Sequence, residues 1–598
     1  MKKTTLLADI EVLVLDCQAT AANPGNGHLM EIGWTRIRAS DANASLDSGI
    51  ESHLCRLPGD VEIPRQVSRI TGLKREDFAS ALPLKKIWKK LVHVTRKITP
   101  ANPGKMCPTV IHYARFEEPY LHHLHQQYTP GKPFPFKIIC THQVTRRLLP
   151  NLPRKGLRAT AGFLGYSVPE LRRSALHTAA TAFIWHQAVQ LLEEQDIYTW
   201  EELLDWLDTP LPASKNSGRD FPMAPGLRLS LPQQPGVYRM LRSNGDLLYI
   251  GKATSLKQRV SSYFFKGKKN THSERTLEML TQASDLDFTV TASAPEAALL
   301  ESDEIKKHAP PYNVALRKRD REIAFFSRDL SQSVSRADEN YPIGPLPARG
   351  SLASAAAIVQ LLGTASVDWD NDDKNIPSLV LNTPPEYAPE FECFHTGFLL
   401  FQERHKEILK KPDYFYTFTR YPVRGLMILG KEFHLKRLEE LAQEESQEED
   451  IKDEEPGTPE EWVWTPEAAA NTFESIIRRG ARLIRRSRWF CLLSESSLAW
   501  DEGDTKSGQR RLLVFRSGNI IHREDLAQGQ KIPPPPGYLR LFPVRQRNFD
   551  LITYDRMRVL TTELRRLISY ETDRNIELRL SPTAVLGYQQ LRNVLQWI

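Results

Sequence analysis

The spacing of apolar residues predicts two successive α/β domains in the first half of the chain. Residues 8–200 alternate short apolar runs with amphipathic stretches, starting with the sequence VLVLD at 12–16. Such alternation of strand and helix patterns is typical of an α/β domain. Turn-forming residues crowd the stretch 213–226 and predict a linker. A second, shorter α/β pattern follows over residues 231–321.

The second pattern opens with a β-hairpin and a helix. Two apolar segments, Gly236–Tyr238 and Leu248–Gly251, flank the sequence SNGD, and an Asn-Gly pair between strands is a strong signal for a tight turn. Thr254 or Ser255 can cap the helix that follows. The apolar positions of that helix are four residues apart: Leu256, Val260 and Phe264.

A third strand pattern, LDFTVTAS, leads into a second helix that carries a carboxylate. Ser293 and Glu296 have the spacing of a capping box, with Pro295 in the first turn. The helix has an apolar stripe, yet Glu301 lies in its middle. A solvated helix face is the ordinary position for one such residue, so Glu301 alone does not indicate a site.

The second half of the chain divides at an acidic connector. Residues 326–437 include a loop that leads into a helix pattern, and residues 438–464 contain twelve acidic residues against one lysine. Such a one-sided charge predicts a solvated connector. Residues 465–598 open with a helix pattern, followed by strand patterns, a four-proline loop and another helix pattern.

The first helix pattern of the C-terminal region is rich in arginine. The stretch 476–490 contains six arginines and no acidic residue. Arginine at that density suits phosphate contacts, and Trp489 and Phe490 at its end could stack on bases. A solvated helix face is the alternative. The arginines predicted to contact DNA are Arg478, Arg482 and Arg485.

Composition narrows the class of protein without indicating its activity. A chain of 598 residues with a formal net charge of +7 predicts several domains and weakly indicates an anionic partner. Its six cysteines form no CxxC pair, which argues against a zinc finger or an iron–sulfur cluster and for a reduced, cytosolic chain. The apolar run near the N-terminus is too short for a signal peptide or a membrane span, so no membrane association is expected.

The hairpin and the helix after the third strand together resemble a nuclease family. The tripeptides Gly236–Tyr238 and Tyr249–Gly251 are similar to the signature of GIY-YIG nucleases. The sequences PGVY, LYIGKATSLKQRVSSYF and EAALLESDEIKKHAPPYN resemble more closely the N-terminal nuclease of the excision-repair endonuclease excinuclease C and its shorter homologue Cho. The resemblance implies these active-site positions: Tyr238, Tyr249, Lys252, Arg259, Tyr263, Glu301 and Asn313. The following sequence, YPIGPLPARGS, loosely resembles the next segment of excinuclease C, whereas the second nuclease of that family has no match here, which implies one incision reaction.

The residue types agree with hydrolysis of a phosphodiester, which needs an activated water and stabilisation of the charge on the phosphorane. Glu301 suits one hard divalent cation, Mg²⁺ or Mn²⁺, with waters completing its coordination. A tyrosine has a free pKa of about 10, and Lys252, Arg259 or the metal is expected to lower it. Either Tyr238 or Tyr249 is then the general base, with Tyr238 slightly favoured.

The other residues of this set are expected to bind or position the substrate. Arg259 is expected to hold the scissile phosphate, and Tyr263 and Asn313 to position groups. From Lys252 to Arg275 the chain has seven lysines and arginines against one glutamate, so DNA binding should depend strongly on salt. The lysines predicted to contact DNA are Lys257, Lys266, Lys268 and Lys269.

The first α/β pattern resembles the DEDDh exonucleases, the proofreading type with an RNase H-like fold. The sequences VLVLDCQAT, VIHYARFEEPYL and LHTAATAFIWHQAV are similar to motifs of that family, whose members hold two metal ions with four carboxylates and use a histidine as base. Asp16 and His177 are retained. Gln18 and Ala182 stand where carboxylates belong, and Glu117 stands where an aspartate belongs. Two carboxylates leave two Mg²⁺ ions undercompensated, so we predict a retained fold without efficient 3′→5′ exonuclease activity.

These observations predict a multidomain α/β and α+β protein. The predicted parts are an RNase H-like exonuclease domain at 1–205, a linker at 206–230, a small GIY-YIG α/β domain at 231–325, an excinuclease-C-like extension at 326–437, the acidic connector at 438–464 and a basic, mixed C-terminal region at 465–598. We expect a metal-dependent endonuclease that makes a single incision in damaged DNA during nucleotide excision repair, with a helicase-type partner, in the cytoplasm at the nucleoid. A branch- or flap-specific recombination nuclease and a non-catalytic DNA-binding scaffold are the alternatives.

Overall fold

The chain divides into two compact units, Met1–Arg317 and Lys318–Ile598. The computed structural model describes residues 5–41, 49–59, 61–99, 106–167, 170–211, 221–264, 272–313, 322–363, 375–409, 420–445, 464–501, 509–527, 529–536, 546, 549–569 and 575–598. All six cysteines have free thiols. Within those ranges, no helix combines the length and the apolar character needed to cross a membrane.

The first unit begins with a five-stranded sheet in the order β3-β2-β1-β4-β5. β1 pairs antiparallel with β2, and β2 with β3, whereas β4 runs parallel to both β1 and β5. The strands are β1 (Val12–Ala19), β2 (Leu29–Ile37), β3 (Glu51–Leu54), β4 (Cys107–Ile111) and β5 (Phe136–Cys140). The helices are α1 (Arg65–Thr71), α2 (Leu84–Ile98), α3 (Glu117–Tyr128), α4 (Thr141–Leu148), α5 (Leu157–Phe163), α6 (Ser174–Glu193) and α7 (Trp200–Asp208).

Helices cover both faces of this sheet because the first half of its central strand is apolar. Val12, Leu13, Val14 and Leu15 are fully buried. Leu13 and Leu15 belong to the cluster that contains Trp88 of α2. Val12 and Val14 belong to a second cluster, built with α6. A parallel strand buried on both faces is typical of α/β folds, and the fold class predicted from the sequence is confirmed.

The second domain of this unit is a three-stranded antiparallel sheet with helices, in the order β7-β6-β8. Its elements are α8 (Pro225–Leu229), β6 (Gly236–Leu241), β7 (Leu247–Ala253), α9 (Leu256–Ser262), α10 (Glu274–Gln282), β8 (Asp285–Val290) and α11 (Ala294–His308). Gly245 in the hairpin turn has a φ of +85°, which only glycine adopts without strain. Ser255 caps α9 and Ser293 caps α11 through their side chains, so both predicted caps form. The predicted linker 206–230 contains the end of α7 and all of α8, and residues 212–220 lie outside the described ranges.

The two domains of the first unit pack against each other through α5 and α10. A Cβ added to Gly162 would overlap the side chain of Gln282. On the hairpin turn, Asp246 accepts a hydrogen bond of 2.6 Å from the hydroxyl of Ser167. The exonuclease-like domain therefore holds the hairpin domain directly.

The second unit opens with a small sheet, β10-β9-β11, and a group of helices. Its elements are β9 (Ala324–Phe326), β10 (Ser333–Val334), β11 (Ile343–Leu346), α12 (Ala353–Gly363), α13 (Ile376–Leu381), α14 (Phe391–Arg404), α15 (Lys406–Leu409), α16 (Pro422–Glu445) and α17 (Pro466–Leu493). α17 packs against α14, α16 and β11. Phe394, Leu426 and Phe473 share one core. The predicted boundary at residue 465 therefore does not separate two cores, because the apolar side of α17 completes the core of the preceding helices. The predicted connector begins inside α16, and residues 446–463 lie outside the described ranges.

The chain continues into a five-stranded antiparallel sheet, β14-β13-β12-β15-β16. Its elements are β12 (Ser497–Asp501), β13 (Arg510–Arg516), β14 (Asn519–Leu526), α18 (Leu551–Ser569), β15 (Ile576–Arg579), β16 (Val585–Leu586) and α19 (Tyr588–Gln596). Trp489 donates a hydrogen bond to Thr561, and Phe490 packs edge-on against Tyr554. Both aromatic residues are buried, so the expectation that they stack on bases is wrong, because the core of the unit uses them.

Candidate active site

The β6–β7 hairpin places the two signature tyrosines around one glycine. Tyr238 on β6 pairs with Gly251 on β7. A Cβ at Gly251 would overlap the Tyr238 phenol and lie 2.8 Å from Cε1 of Tyr249. Only glycine leaves room for both rings at this position. The glycine of the second tripeptide is therefore required by the packing of the two phenols.

The glycine of the first tripeptide allows two elements to approach the strand. A Cβ at Gly236 would overlap the main-chain carbonyl of Thr289 on β8 and lie 2.9 Å from Cδ1 of Leu256 on α9. The close approach keeps α9 against the hairpin. The side chains of α9 therefore reach the phenols.

Three phenols and one guanidinium form a cluster. The hydroxyls of Tyr238 and Tyr263 are 2.9 Å apart, and the ring centroids of Tyr238 and Tyr249 are 6.1 Å apart. The charge of Arg259 acts on Tyr238 and Tyr249, and its Cζ lies 5.1 Å from the centroid of the Tyr263 ring. Arg259 and Tyr263 share one side of α9 because they are four residues apart.

Glu301 approaches the same hairpin from α11. Its Oε1 accepts a hydrogen bond of 3.1 Å from the main-chain N–H of Lys252 on β7. The charge of Glu301 also acts on Tyr249. The side chain of Glu301 is half-buried, whereas Ser302 next to it is fully buried. The structure thus brings the predicted metal ligand to the predicted phenols.

The donor chemistry of this site suits one hard cation. Among the described residues, no three His, Cys, Asp or Glu side chains are grouped so as to hold a metal ion. Glu301 therefore offers a single carboxylate. Mg²⁺ commonly takes one or two protein carboxylates and keeps several of its waters. The residues present fit a hydrated divalent cation.

Asn313 fixes the main chain of β7. Its Nδ2 donates to the carbonyl of Ile250 at 2.8 Å, and its Oδ1 accepts from the N–H of Ile250 at 2.9 Å. The preceding residue, Tyr312, donates its main-chain N–H to the carbonyl of Leu248 at 3.2 Å. The amide of Asn313 therefore acts on the strand beside Tyr249, which is a positioning role.

The predicted exonuclease pocket comes together without its full set of carboxylates. Oδ1 of Asp16 and Nδ1 of His177 are 3.2 Å apart. Gln18 donates from Nε2 to the main-chain carbonyl of Arg172 at 2.7 Å. Ala182 is fully buried in the apolar cluster of α6 and offers no ligand. The pocket therefore has fewer negative charges than the four-carboxylate pocket of the DEDDh exonucleases, as the sequence indicates.

The comparison with known families agrees with the hairpin site. Residues 234–314 match the family model described as the UvrC-like GIY-YIG domain. UvrABC system protein C from a Psychrobacter species is 51% identical over 87 residues, which are 14% of this chain and 14% of that protein. UvrABC system protein C from Nitrosomonas europaea is 40% identical over 139 residues, 22% of each chain. The family predicted from the sequence is confirmed for this domain, although this chain spans only 14% and 22% of the length of these two curated relatives.

Two solved nuclease structures are similar to parts of this chain. The GIY-YIG N-terminal endonuclease domain of UvrC from Thermotoga maritima, bound to its catalytic divalent cation, magnesium, is 35% identical and covers 15% of this chain and 100% of that chain, with a TM-score of 0.14. The nuclease domain of 3′hExo, a DEDDh family member bound to rAMP, is 14% identical and covers 31% of this chain and 93% of that chain, with a TM-score of 0.26.

Burial dominates the ionisation of the phenols in the UvrC-like domain. Burial raises the pKa of Tyr238 well above its ordinary value, neighbouring tyrosines add to the rise, and Arg259 opposes it. Burial also raises the pKa of Tyr249, to which Glu301 adds while Arg259 again opposes. Arg259 acts in the expected direction, but one guanidinium does not offset the desolvation of the phenolates, so the pKa values of Tyr238 and Tyr249 are raised in the protein without a cation.

The two candidate bases differ in access to solvent. Tyr238 has no exposed surface, and its hydroxyl is hydrogen-bonded to Tyr263. Tyr249 is half-buried and feels the charge of Glu301. A general base must come within hydrogen-bond reach of the water that it deprotonates. Tyr249 is therefore better placed than Tyr238, contrary to the order favoured from the sequence.

The predicted DNA-contacting lysines are only partly described. Lys257 is half-buried on α9. Lys266, Lys268 and Lys269 lie outside the described residues. Arg275 from the same basic stretch donates to the main-chain carbonyl of Pro311 at 2.7 Å, so this cation holds the segment before Asn313.

The two carboxylates of the exonuclease-like pocket interact unfavourably. Burial raises the pKa of Glu117 to about 9, and the charge of Asp16 adds to the rise. Burial also raises the pKa of Asp16, although the charge of His177 opposes the rise. Oε2 of Glu117 has no hydrogen-bond partner among the described residues. In the protein without a cation, Glu117 is therefore protonated near neutral pH.

The sequence did not indicate a third buried carboxylate near this pocket. Glu31 on β2 is 1% exposed and accepts three hydrogen bonds from the guanidinium of Arg173, at 2.7, 3.0 and 3.2 Å. Burial raises the pKa of Glu31, but Arg173, the N–H of Ser174 and the hydroxyl of Ser52 outweigh burial and lower it. This carboxylate therefore anchors the start of α6. The sequence did offer one signal, an acidic residue inside an apolar strand. Local patterns could not identify its partner, because Arg173 is 142 residues away.

Replacing Glu117 with Gln is expected to stabilise the protein, increasingly so as the pH rises. The folded-state pKa of about 9 exceeds the ordinary value of 4.5. Ionisation of Glu117 therefore costs stability between these two pH values, since the unfolded chain releases its proton first. Thermal melts at pH values of about 5 and 8.5 should show a small gain for Glu117→Gln at the lower pH and a larger gain at the higher pH.

Glu118→Gln is the matched control for this measurement, because Glu118 follows on α3 and is exposed. Its melting temperature should follow that of the wild type at both pH values. A gain for Glu117→Gln that does not change with pH would show that Glu117 is ionised throughout.

Proposed function

We propose that the UvrC-like GIY-YIG domain cuts a phosphodiester bond of DNA by metal-dependent hydrolysis. The position of Glu301 carries this proposal. Its carboxylate accepts a hydrogen bond from the main-chain N–H of Lys252, and its charge acts on Tyr249. The carboxylate of Glu301 therefore meets a phenol and a lysine of the hairpin. The match of residues 234–314 to the UvrC-like GIY-YIG domain supports the same chemistry here.

Glu301 would hold one Mg²⁺ or Mn²⁺ ion, with waters as the other ligands. When bound, the cation supplies positive charge that stabilises a phenolate and the negative charge of the phosphorane. The raised pKa of Tyr249 in the protein alone is a reason why hydrolysis should need the cation.

The side chains of the domain divide the other tasks. Tyr249 would accept a proton from the attacking water, because it is accessible and next to Glu301. Arg259 would bind the scissile phosphate through its guanidinium, which packs over the ring of Tyr263. Lys252 would add a second positive charge, and Asn313 would keep β7 in register.

The proposed biological setting is excision repair of damaged duplex DNA. The curated relatives are named UvrABC system protein C, and the similarity to them supports a single incision in such a pathway. A helicase-type partner would deliver this chain to the lesion, in the cytoplasm at the nucleoid.

The exonuclease-like domain is proposed to lack efficient 3′→5′ activity. Gln18 is engaged by the Arg172 carbonyl, and Ala182 is a methyl group in an apolar cluster. Incubation of an end-labelled single strand with Mg²⁺ or Mn²⁺ should show no stepwise shortening. Shortening that Asp16→Ala abolishes would contradict the proposal.

The arginine-rich helix α17 is proposed to contribute cations to DNA binding. Burial lowers the pKa of Arg482, as do its like-charged neighbours Arg478 and Arg486, so positive charge is concentrated here. Arg485 differs, because its Cζ lies 4.2 Å from the centroid of the Trp597 ring. We therefore assign the phosphate contacts to Arg478 and Arg482, and a packing role to Arg485.

A cleavage assay over damaged, nicked and branched duplexes tests the proposed function. With Mg²⁺ or Mn²⁺ we expect one cut near a lesion, and none in EDTA. Preferential cutting of flaps or branched junctions would favour a recombination nuclease. Binding without cutting on every substrate, with the helicase-type partner present, would favour a DNA-binding scaffold.

A further inference from the structure

A polar cleft lies among α14, α16 and α17 in the second unit. Its volume is about 580 Å³, within the range of small-molecule sites. Four cationic side chains line it: Arg404, Lys436, Arg437 and Arg478. Asn471 and Ser475 also line the cleft, and Oδ1 of Asn471 accepts a hydrogen bond of 2.7 Å from Nη1 of Arg404. The cleft therefore has the composition of an anion-binding site.

The carboxylate on the wall is already engaged. Oε1 of Glu474 is 2.9 Å from Nε2 of His405 and 3.7 Å from Nη1 of Arg404. Burial raises the pKa of Glu474, but His405, Lys436 and Arg404 outweigh burial and lower it. His405 is 5% exposed, so this arrangement is part of the folded wall. With Glu474 ionised, the four cations that line the cleft still exceed the negative charge of its lining.

Positive charge continues from the cleft along α17. Arg482 follows Arg478 by one helical turn. Burial lowers the pKa of His434 on α16, and both of these arginines lower it further. The stretch 476–490 contains no acidic residue to offset this charge. A bound anion would relieve the repulsion between these like charges.

We propose that this cleft binds a phosphate group, carried by a nucleic-acid strand or by a free nucleotide. Arginine forks bind phosphate oxygens through paired hydrogen bonds, and amide and hydroxyl groups complete such contacts. Phe433 lines the cleft but is 5% exposed, so it presents little ring surface to a base. Recognition is therefore of phosphate and not of base sequence. This inference does not depend on incision at Glu301.

Binding measurements on the full chain in EDTA test the proposal, because EDTA separates binding from incision. The probes are a labelled single-stranded oligonucleotide, adenosine triphosphate and a glutamate-rich peptide. Arg478→Glu should raise the Kd of at least one phosphate probe about tenfold or more, since it removes a charge-assisted contact. Arg479→Glu is the matched control, because Arg479 is exposed on the same helix, does not line the cleft and changes the net charge equally. It should change the Kd less than about threefold.

Each outcome decides the question. Weaker binding of both phosphate probes supports a phosphate site open to free nucleotides, and weaker binding of the oligonucleotide alone supports a site for a nucleic-acid backbone. An equal effect of Arg479→Glu, or binding of the acidic peptide as tight as that of the phosphate probes, overturns the proposal. Lys436→Gln is a second variant in case Arg478→Glu misfolds, because glutamine keeps a polar side chain. It should raise the Kd of the same probe while its thermal melt matches that of the wild type.

Discussion

Replacing Glu301 with Gln is expected to reduce DNA incision about 10³-fold or more. Glutamine keeps the shape of the side chain and an oxygen that can accept the N–H of Lys252, so the fold should be preserved. The lost negative charge removes the carboxylate that would hold the divalent cation. Single-turnover cleavage of a lesion-bearing duplex, titrated with Mg²⁺ and then Mn²⁺, measures the effect.

Glu296→Gln provides the control for this prediction. Glu296 belongs to the N-terminal capping box of the same helix, and its Oε2 accepts from the hydroxyl of Ser293 at 2.7 Å. Glutamine at this position keeps a capping side chain, so the rate of incision should stay within about twofold of the wild type. Undiminished cutting by Glu301→Gln, at any concentration of metal, would show that this domain does not cut DNA by the proposed chemistry.

Tyr249→Phe is expected to lower the single-turnover rate about 10²–10⁴-fold, the usual contribution of a general base. The phenyl ring still fits over Gly251, so the loss should come from the missing hydroxyl. Tyr238→Phe removes a buried hydroxyl that is hydrogen-bonded to Tyr263 and should cost less than about tenfold. The two variants together distinguish a base from a packing residue.

Comparing the rates of these two variants identifies the base whichever variant is slower. Rates measured across pH should keep, in Tyr238→Phe, the rise with increasing pH that reports deprotonation of the base, and Tyr249→Phe should lose that rise. If Tyr238→Phe has the larger effect, the buried phenol is the proton acceptor, and burial does not prevent its access to the attacking water.

Local patterns were sufficient for the elements that build the site. The Asn-Gly turn, the apolar segments on either side of it and the caps at Thr254 or Ser255 and at Ser293 predict the hairpin and its two helices, because each depends on a few neighbouring residues. The family resemblance then assigned Glu301. What the local patterns did not provide is the role of Asn313, whose hydrogen bonds with Ile250 join residues 63 apart in the chain.

The domain boundary at residue 465 shows a second limit of local patterns. The arginines of α17 and the acidic tract before it have opposite charges, and a change of composition commonly marks a boundary. However, Phe473 on α17 belongs to the same core as Phe394 and Leu426. Composition describes the exposed side of such a helix, whereas the buried side decides which elements fold together.

The sequence by itself determined which chemical groups are present: the carboxylate of Glu301 on α11, the phenols and cations of the hairpin and α9, and two missing carboxylates in the first pocket. These are properties of side-chain identity, and no fold can restore a ligand to Ala182. Only the tertiary structure decided how those groups ionise and which are accessible. Burial of Tyr238 and Glu117, and the pairing of Glu31 with Arg173, arise from residues distant in the chain. Desolvation is the largest influence on the pKa of Tyr238 and of Glu117, whereas hydrogen bonds outweigh desolvation at Glu31.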